Sequence, residues 1–224
     1  MNYKLQTKSI WTYPKKRFFT FLDNVASENS KKTLCVIGCA DGTYVLPAAK
    51  RGFEVTAIDI DYNAIYGGPD IIIDGKAYKN IGLLKRLELE EDIKDKVEVF
   101  NCDFMEYDTS KKFSAIFTSG SLHYENNCKY TIEDLIEKIF NMLEINGTLL
   151  LEYIHRKVND ESKRYFLTKD QVDDLFSKYP NAKIVSHKVK TYIEKPNSRD
   201  DTIHEISWGR IYVKKINEEI KNDK

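Results

Sequence analysis

The stretch Thr33–Tyr44, TLCVIGCADGTY, decides how the chain is read. Its first five residues form a short, strand-like apolar run. The run stops at Gly38, and an apolar pattern of helical spacing resumes beyond Gly42. A plain turn needs neither two glycines nor an acid. In a parallel sheet, ligands collect beyond the carboxyl ends of the strands where the winding reverses, and the first strand-to-helix corner is the usual cradle. Gly38 and Gly42 allow positive φ and close backbone approach, while the following helix start offers free N–H groups. The corner Gly38-Cys39-Ala40-Asp41-Gly42 therefore suits a carboxylate or a phosphate.

Working outward, the next strand-like run, 53–61, carries Asp59, about 20 residues beyond the first glycine, where a carboxylate can accept both hydroxyls of a ribose. Glycine corner and Asp59 together predict a nucleoside ligand; the plain alternative is a tight turn beside a solvent-facing aspartate. The dinucleotide pattern G-x-G-x-x-G is not met. Asp41 brings negative charge toward where a pyrophosphate would lie, which argues against NAD.

The rest of the chain alternates short β-branched runs with amphipathic stretches, the mark of an α/β protein with a parallel sheet. A helix is expected from Pro14 to Ala26, with Phe18, Phe21, Leu22 and Val25 on one face. Strands are expected at 33–37, 53–61, 97–104, 115–121 and 147–154, the last following an Asn-Gly turn. Helices capped at Thr131 and Thr168 fall between the later strands. The segment 62–80 reads as irregular. Runs 182–194 and 202–215, joined by KPNSRDD, suggest an antiparallel edge pair. The expected fold is a doubly wound, mostly parallel seven-stranded sheet with that pair at one edge, in a single domain over 1–224. Its parts are a helical leader (1–30), a ligand-binding core (31–155) and a C-terminal helix with edge strands (156–224).

Lysine plus arginine equals aspartate plus glutamate, at 35 each, so no overall field draws the chain to nucleic acid or an anionic membrane. The four cysteines are too few for a disulfide scaffold and read as reduced thiols. Neither a signal-peptide segment nor a membrane-spanning run stands out, so a soluble, cytoplasmic protein is expected. Cys35 and Cys39 lack partners at zinc spacing and the histidines are scattered; no metal is expected.

Val36-Ile37-Gly38-Cys39-Ala40-Asp41-Gly42 resembles the first motif of the class I S-adenosylmethionine-dependent methyltransferases, acid-x-G-x-G-x-G. Val36 stands in place of the acid and Ala40 in place of the middle glycine. The resemblance continues through Asp59 with Ile60, through Asp103 in NCDFME, through Ser119–His123 in TSGSLHY, and through NMLEINGTLLLEY before the fifth strand. It implies a Rossmann-like fold and S-adenosylmethionine as cofactor, with S-adenosylhomocysteine as product. On this likeness Gly38 to Gly42 cradle the cofactor, Asp59 and Ile60 take the ribose side, Asp103, Phe104 and Met105 the adenine, and Ser119 and Ser121 the methionine portion.

Methyl transfer is an in-line displacement, so a protein must align a nucleophile and remove its proton if it holds one. His123 and Tyr124 follow the fourth strand and are candidates to orient or deprotonate an acceptor. His204 resembles in position a histidine of some small-molecule methyltransferases. Tyr153 and His155 end the fifth strand, and Arg156 and Arg210 could grip an anionic acceptor. Trp11, Tyr13 and Arg17 are candidates for a lid. Ordinary packing or surface roles are the plain alternatives for each. Ser119-Gly120-Ser121-Leu122 stands where amino-methylating DNA enzymes carry a Pro-Pro-aromatic sequence, so a small-molecule acceptor is expected, methylated on oxygen or nitrogen, by a monomer or homodimer. RNA or protein methylation, and a non-catalytic binding subunit, are the alternatives.

Overall fold

The computed structural model describes residues 5–11, 13–73, 76–121, 129–155, 167–194 and 204–217. Its main sheet contains β1 (Thr33–Ile37), β2 (Glu54–Asp59), β5 (Val97–Asn101), β6 (Phe113–Ser119), β7 (Leu143–Ile154), β8 (Ala182–Glu194) and β9 (His204–Lys215). A separate small hairpin joins β3 (Ile71–Ile73) to β4 (Lys76–Tyr78). The seven strands lie in the order β5-β2-β1-β6-β7-β9-β8. The first five of that row are parallel, and β9 and β8 run antiparallel to their neighbours, as the sequence led us to expect. From β1 the chain winds outward to β2 and β5, then crosses back to place β6 on the other side of β1, so the winding reverses between β1 and β6.

Alternation along each strand sends side chains to two cores. Leu34, Val36, Val55, Ala57, Phe117 and Leu150 pack under α1 (Lys16–Glu28), α2 (Val45–Lys50) and α4 (Gly82–Glu88). Cys35, Ile37, Ile58, Ile116, Leu149 and Leu151 pack on the opposite face against α5 (Ile132–Met142) and α6 (Lys169–Ser177). Helix α1 buries Phe18, Phe21, Leu22 and Val25, the predicted face, and Phe18 sits edge-on to Tyr44 at the helix start that follows the glycine corner. Helices α5 and α6 open on capping boxes, Thr131 with Asp134 and Thr168 with Gln171, which satisfy the otherwise orphaned first-turn N–H groups.

Two segments depart from the sequence reading. Residues 62–80 hold α3 (Tyr62–Tyr66), capped by the Asp61 side chain, as well as the β3–β4 hairpin. Elements of five and three residues are too short for a hydrophobic period to show. The Asn146-Gly147 pair does not start a strand. β7 already begins at Leu143, and Asn146, at φ 66°, forms a bulge where the register with β6 shifts. No helix among the described residues is long and apolar enough to cross a membrane.

Candidate functional site

At the reversal between β1 and β6 the corner takes an uncommon backbone path. Gly38, Ala40 and Gly42 all have positive φ, at 70°, 48° and 88°. Glycine is needed at 38 for a second reason: a Cβ there would stand 2.3 Å from Cβ of Ser121, which leaves the end of β6 against the corner. Ser121 Oγ donates to the Ile37 carbonyl, fixing that contact. The amides of Gly38 and Cys39 both donate to the Ile58 carbonyl, so the corner is tied to the end of β2.

Asp59 completes the tie. One carboxylate oxygen accepts from the Ala40 amide at 2.7 Å and the other from the Asp61 amide at 2.9 Å. A carboxylate has about four lone-pair sites, so Asp59 retains capacity to accept from a hydroxyl. Burial raises the Asp59 carboxyl above the ordinary carboxylate value, against the pull of the Asp61 and Ala40 amides. The amide of Cys102 and the side chain of Asn101 both donate to the Asp59 carbonyl, which brings Asp103 to the same edge. There the Asp103 carboxylate accepts from the Met105 amide at 2.9 Å, and Phe104 is buried with the Lys138 ammonium over its ring. Ile60 is 48% exposed beside Asp59, an apolar surface next to a polar one. These residues fit an adenosine: hydroxyl acceptors at Asp59, an amine acceptor at Asp103 and apolar side chains between them.

No protein-family model matches the chain, and no curated protein sequence matches it. Solved structures do. Superposition with TehB from Haemophilus influenzae gives a TM-score of 0.64 at 11% identity, over 88% of this chain and 62% of that one. A phosphoethanolamine N-methyltransferase 2 from Haemonchus contortus, in complex with phosphomonomethylethanolamine and S-adenosylhomocysteine, gives 0.62 at 15% identity, over 90% of this chain and 52% of that one. A Pyrococcus horikoshii structure described as a candidate RNA methyltransferase gives 0.57 at 10% identity, over 95% and 92%. The chain has the methyltransferase fold. It spans about three fifths and one half of the lengths of the first two neighbours.

Within the methyltransferase fold, Asp41 takes a position the sequence did not suggest. Its carboxylate is 2% exposed and turns to the leader, accepting from Ser9 Oγ at 2.6 Å and from the Ile10 amide at 2.9 Å. Arg86 of α4, equally buried, donates to the Asp41 carbonyl at 2.6 Å, pairs with its carboxylate at 3.3 Å, and donates to Thr7 Oγ1 and the Thr7 carbonyl. Glu90 accepts from the Gln6 amide and pairs with Lys50. The leader is thus bolted across the glycine corner by buried charges. Arg86 and Glu90 carried no sequence signal, because a charged residue in an amphipathic helix reads as solvent-facing.

Near the ends of β6 and β7, Arg17 of α1 is ion-paired with Glu152. Glu152, 3% exposed, also accepts from Ser119 Oγ at 2.8 Å, and its carbonyl accepts from the Gly120 amide. Burial lowers the Arg17 guanidinium, but the hydrogen bond and charge of Glu152 outweigh it and leave the group raised. Burial first, and then the Glu152 charge, push the neighbouring Tyr44 hydroxyl up to about 12, so it stays protonated and can donate. Glu152 was missed, although an acid inside LLLEYI was the available signal. Tyr153 and His155 share a face, as alternation requires, but it is the face opposite Glu152, Ser119 and Asp59. Tyr153 Oη lies 2.7 Å from His187 Nε2, and His187 Nδ1 lies 2.6 Å from Asp173, so the tyrosine ties the edge strands to α6. Trp11 is half-buried in the leader with its amide on Ser9 Oγ, and Tyr13 is 70% exposed. His123, Tyr124 and Arg156 lie outside the described residues, as does the side chain of His204 at the start of β9.

Proposed function

We propose that the chain binds S-adenosylmethionine and transfers its methyl group to an oxygen or nitrogen atom of a small molecule. The observation that carries this reading is the direct hydrogen bond between Asp59 and the Ala40 amide at the point where the winding reverses. It puts a carboxylate able to accept hydroxyls and a positive-φ corner within one hydrogen bond of each other, and Ser121 closes against the same corner. Bound S-adenosylmethionine supplies an electrophilic methyl carbon and a leaving thioether. The chain's own residues hold and align. Gly38 to Gly42 support the amino-acid end, Asp59 the ribose, and Asp103 with Phe104 and Met105 the base. Ser119 and Ser121 border the path to the acceptor.

The Arg17–Glu152 pair fixes the start of α1 over the ends of β6 and β7, so the leader shields the reacting atoms from water, the usual role of such closures. A small acceptor is favoured because this covered side of the sheet ends within the leader and the two edge strands. The test is incubation of the full chain with methyl-labelled S-adenosylmethionine and a metabolite extract, followed by mass analysis. A labelled low-mass product supports the reading; label recovered only in RNA or protein replaces its acceptor class; no transfer together with firm cofactor binding makes the chain a binding subunit.

A further inference from the structure

One row of side chains runs across the acceptor side of the sheet at the level where β6 ends. The strand register sets Ser119 beside Glu152, Glu152 beside Arg210, and Arg210 beside Lys188. The next row toward the crevice places Trp208 beside Lys190, and Lys15, at the start of α1, holds its ammonium 5.3 Å from the Trp208 ring centroid. Glu152 is the acid of this row, and both its oxygens are committed, one to Arg17 and one to Ser119. Among the described residues no carboxylate stands within ion-pair distance of Arg210, Lys188 or Lys190.

Folding does not account for this arrangement. Like charges directly opposite each other on neighbouring strands are destabilising, by roughly 0.2–1 kcal/mol. Lysines on an edge strand have a protective purpose, since they discourage pairing with another chain, and that explains Lys188 and Lys190 on β8. It does not explain Arg210. β9 is an interior strand, flanked on both sides, and Arg210 is half-buried on it between Lys188 and Glu152, whose oxygens Arg17 and Ser119 already hold, with an aromatic two residues away. A planar guanidinium is suited to a planar or tetrahedral oxyanion, which it can bind through two N–H groups at once.

We propose that Arg210, with Lys188 and Trp208, receives an anionic group of the methyl acceptor, a phosphate or a carboxylate. This rests on the proposed methyl transfer, because it places the acceptor between Ser119 and Arg210. The distance then limits the acceptor's size: β6 and β9 are two strand spacings apart, about 10 Å, so the anionic group stands no farther than that from the methylated atom.

The test uses the full chain with and without saturating S-adenosylhomocysteine, titrated with phenyl phosphate, benzoate and neutral benzyl alcohol. Phenyl phosphate or benzoate should bind at least tenfold more tightly than benzyl alcohol, and whichever leads identifies the anion. Arg210→Gln should shrink that advantage below threefold, Arg210→Lys should retain part of it, and Lys183→Gln, farther along the edge, should leave it intact. Equal binding of the three probes, or an advantage that survives Arg210→Gln, overturns the proposal and leaves only a charged sheet edge. If the Arg210-dependent preference holds while S-adenosylhomocysteine fails to bind, the anion subsite stands and the methyl-transfer reading falls.

Discussion

The Ala40 amide donates to Asp59 Oδ2 across 2.7 Å, and Ala40 reaches that position only by taking φ 48°, a left-handed backbone that favours glycine. Ala40 therefore holds a backbone conformation suited to glycine, at a cost of about 1–2 kcal/mol for an L side chain. Ala40→Gly should relieve that strain and raise the unfolding free energy by about 0.5–1 kcal/mol, the part left after the greater chain entropy of glycine. Urea denaturation at neutral pH measures it, and a loss of stability would show that the alanine methyl makes contacts outweighing the strain.

Acid should weaken cofactor binding through the same carboxylate. Burial holds the Asp59 carboxyl above its ordinary value in the folded protein. Ribose hydroxyls are best accepted by the ionised form, so affinity for S-adenosylhomocysteine should be full near neutrality and fall as pH drops through the raised value. The midpoint should lie above the ordinary aspartate pKa of about 3.9. Titrations at a series of pH values check this; affinity independent of pH down to the unperturbed range would remove Asp59 from the ribose contact.

The Arg17–Glu152 pair offers a separate test of the leader. Arg17→Met leaves a buried carboxylate without its cation and should cost about 2–3 kcal/mol, less than a fully buried pair because Arg17 remains partly exposed. Arg17→Met with Glu152→Gln should recover most of that loss. A double-mutant cycle in urea supplies the coupling, and additive effects would mean that the two side chains do not act together.

Gly209 is where the edge strands make room for Tyr153. A Cβ at that position would lie 2.0 Å from Cζ of Tyr153. Gly209→Ala should therefore displace the ring from His187 and cost about 1–3 kcal/mol, the usual scale of overpacking. In a Tyr153→Ala background the same change should cost less than about 1 kcal/mol. Thermal denaturation of the four proteins decides it; an equal cost in both backgrounds would place the clash elsewhere.

Where the sequence was legible, a period or a corner carried the information. Strand β1, the face of α1 and the capped starts of α5 and α6 follow from spacing and cap residues, and the edge pair from two long runs separated by a turn-rich segment. That Gly38, Asp59 and Ser121 meet at one corner was readable because each stands at the carboxyl end of a strand or in the turn that follows it. What stayed hidden depended on tertiary partners. Asp41 has the right position for a ligand, yet Arg86 and the Ser9 hydroxyl claim its carboxylate, and nothing local to GCADG announces either. Alternation correctly placed Tyr153 and His155 on a common face but could not say which one, because that depends on where α6 docks. Glu152, just before Tyr153 in the chain, takes the other face, which looks toward Ser119.

The central claim is that Gly38 to Gly42 and Asp59 hold an adenosine-bearing cofactor. Calorimetric titration of S-adenosylhomocysteine into the wild-type chain and into Asp59→Ala tests it most directly. Saturable one-to-one binding is expected for the wild type, weakened in the variant by about 1.5–3 kcal/mol, the scale of hydrogen bonds to a charged group. Absence of binding to the wild type, or equal affinity in the two proteins, would contradict it.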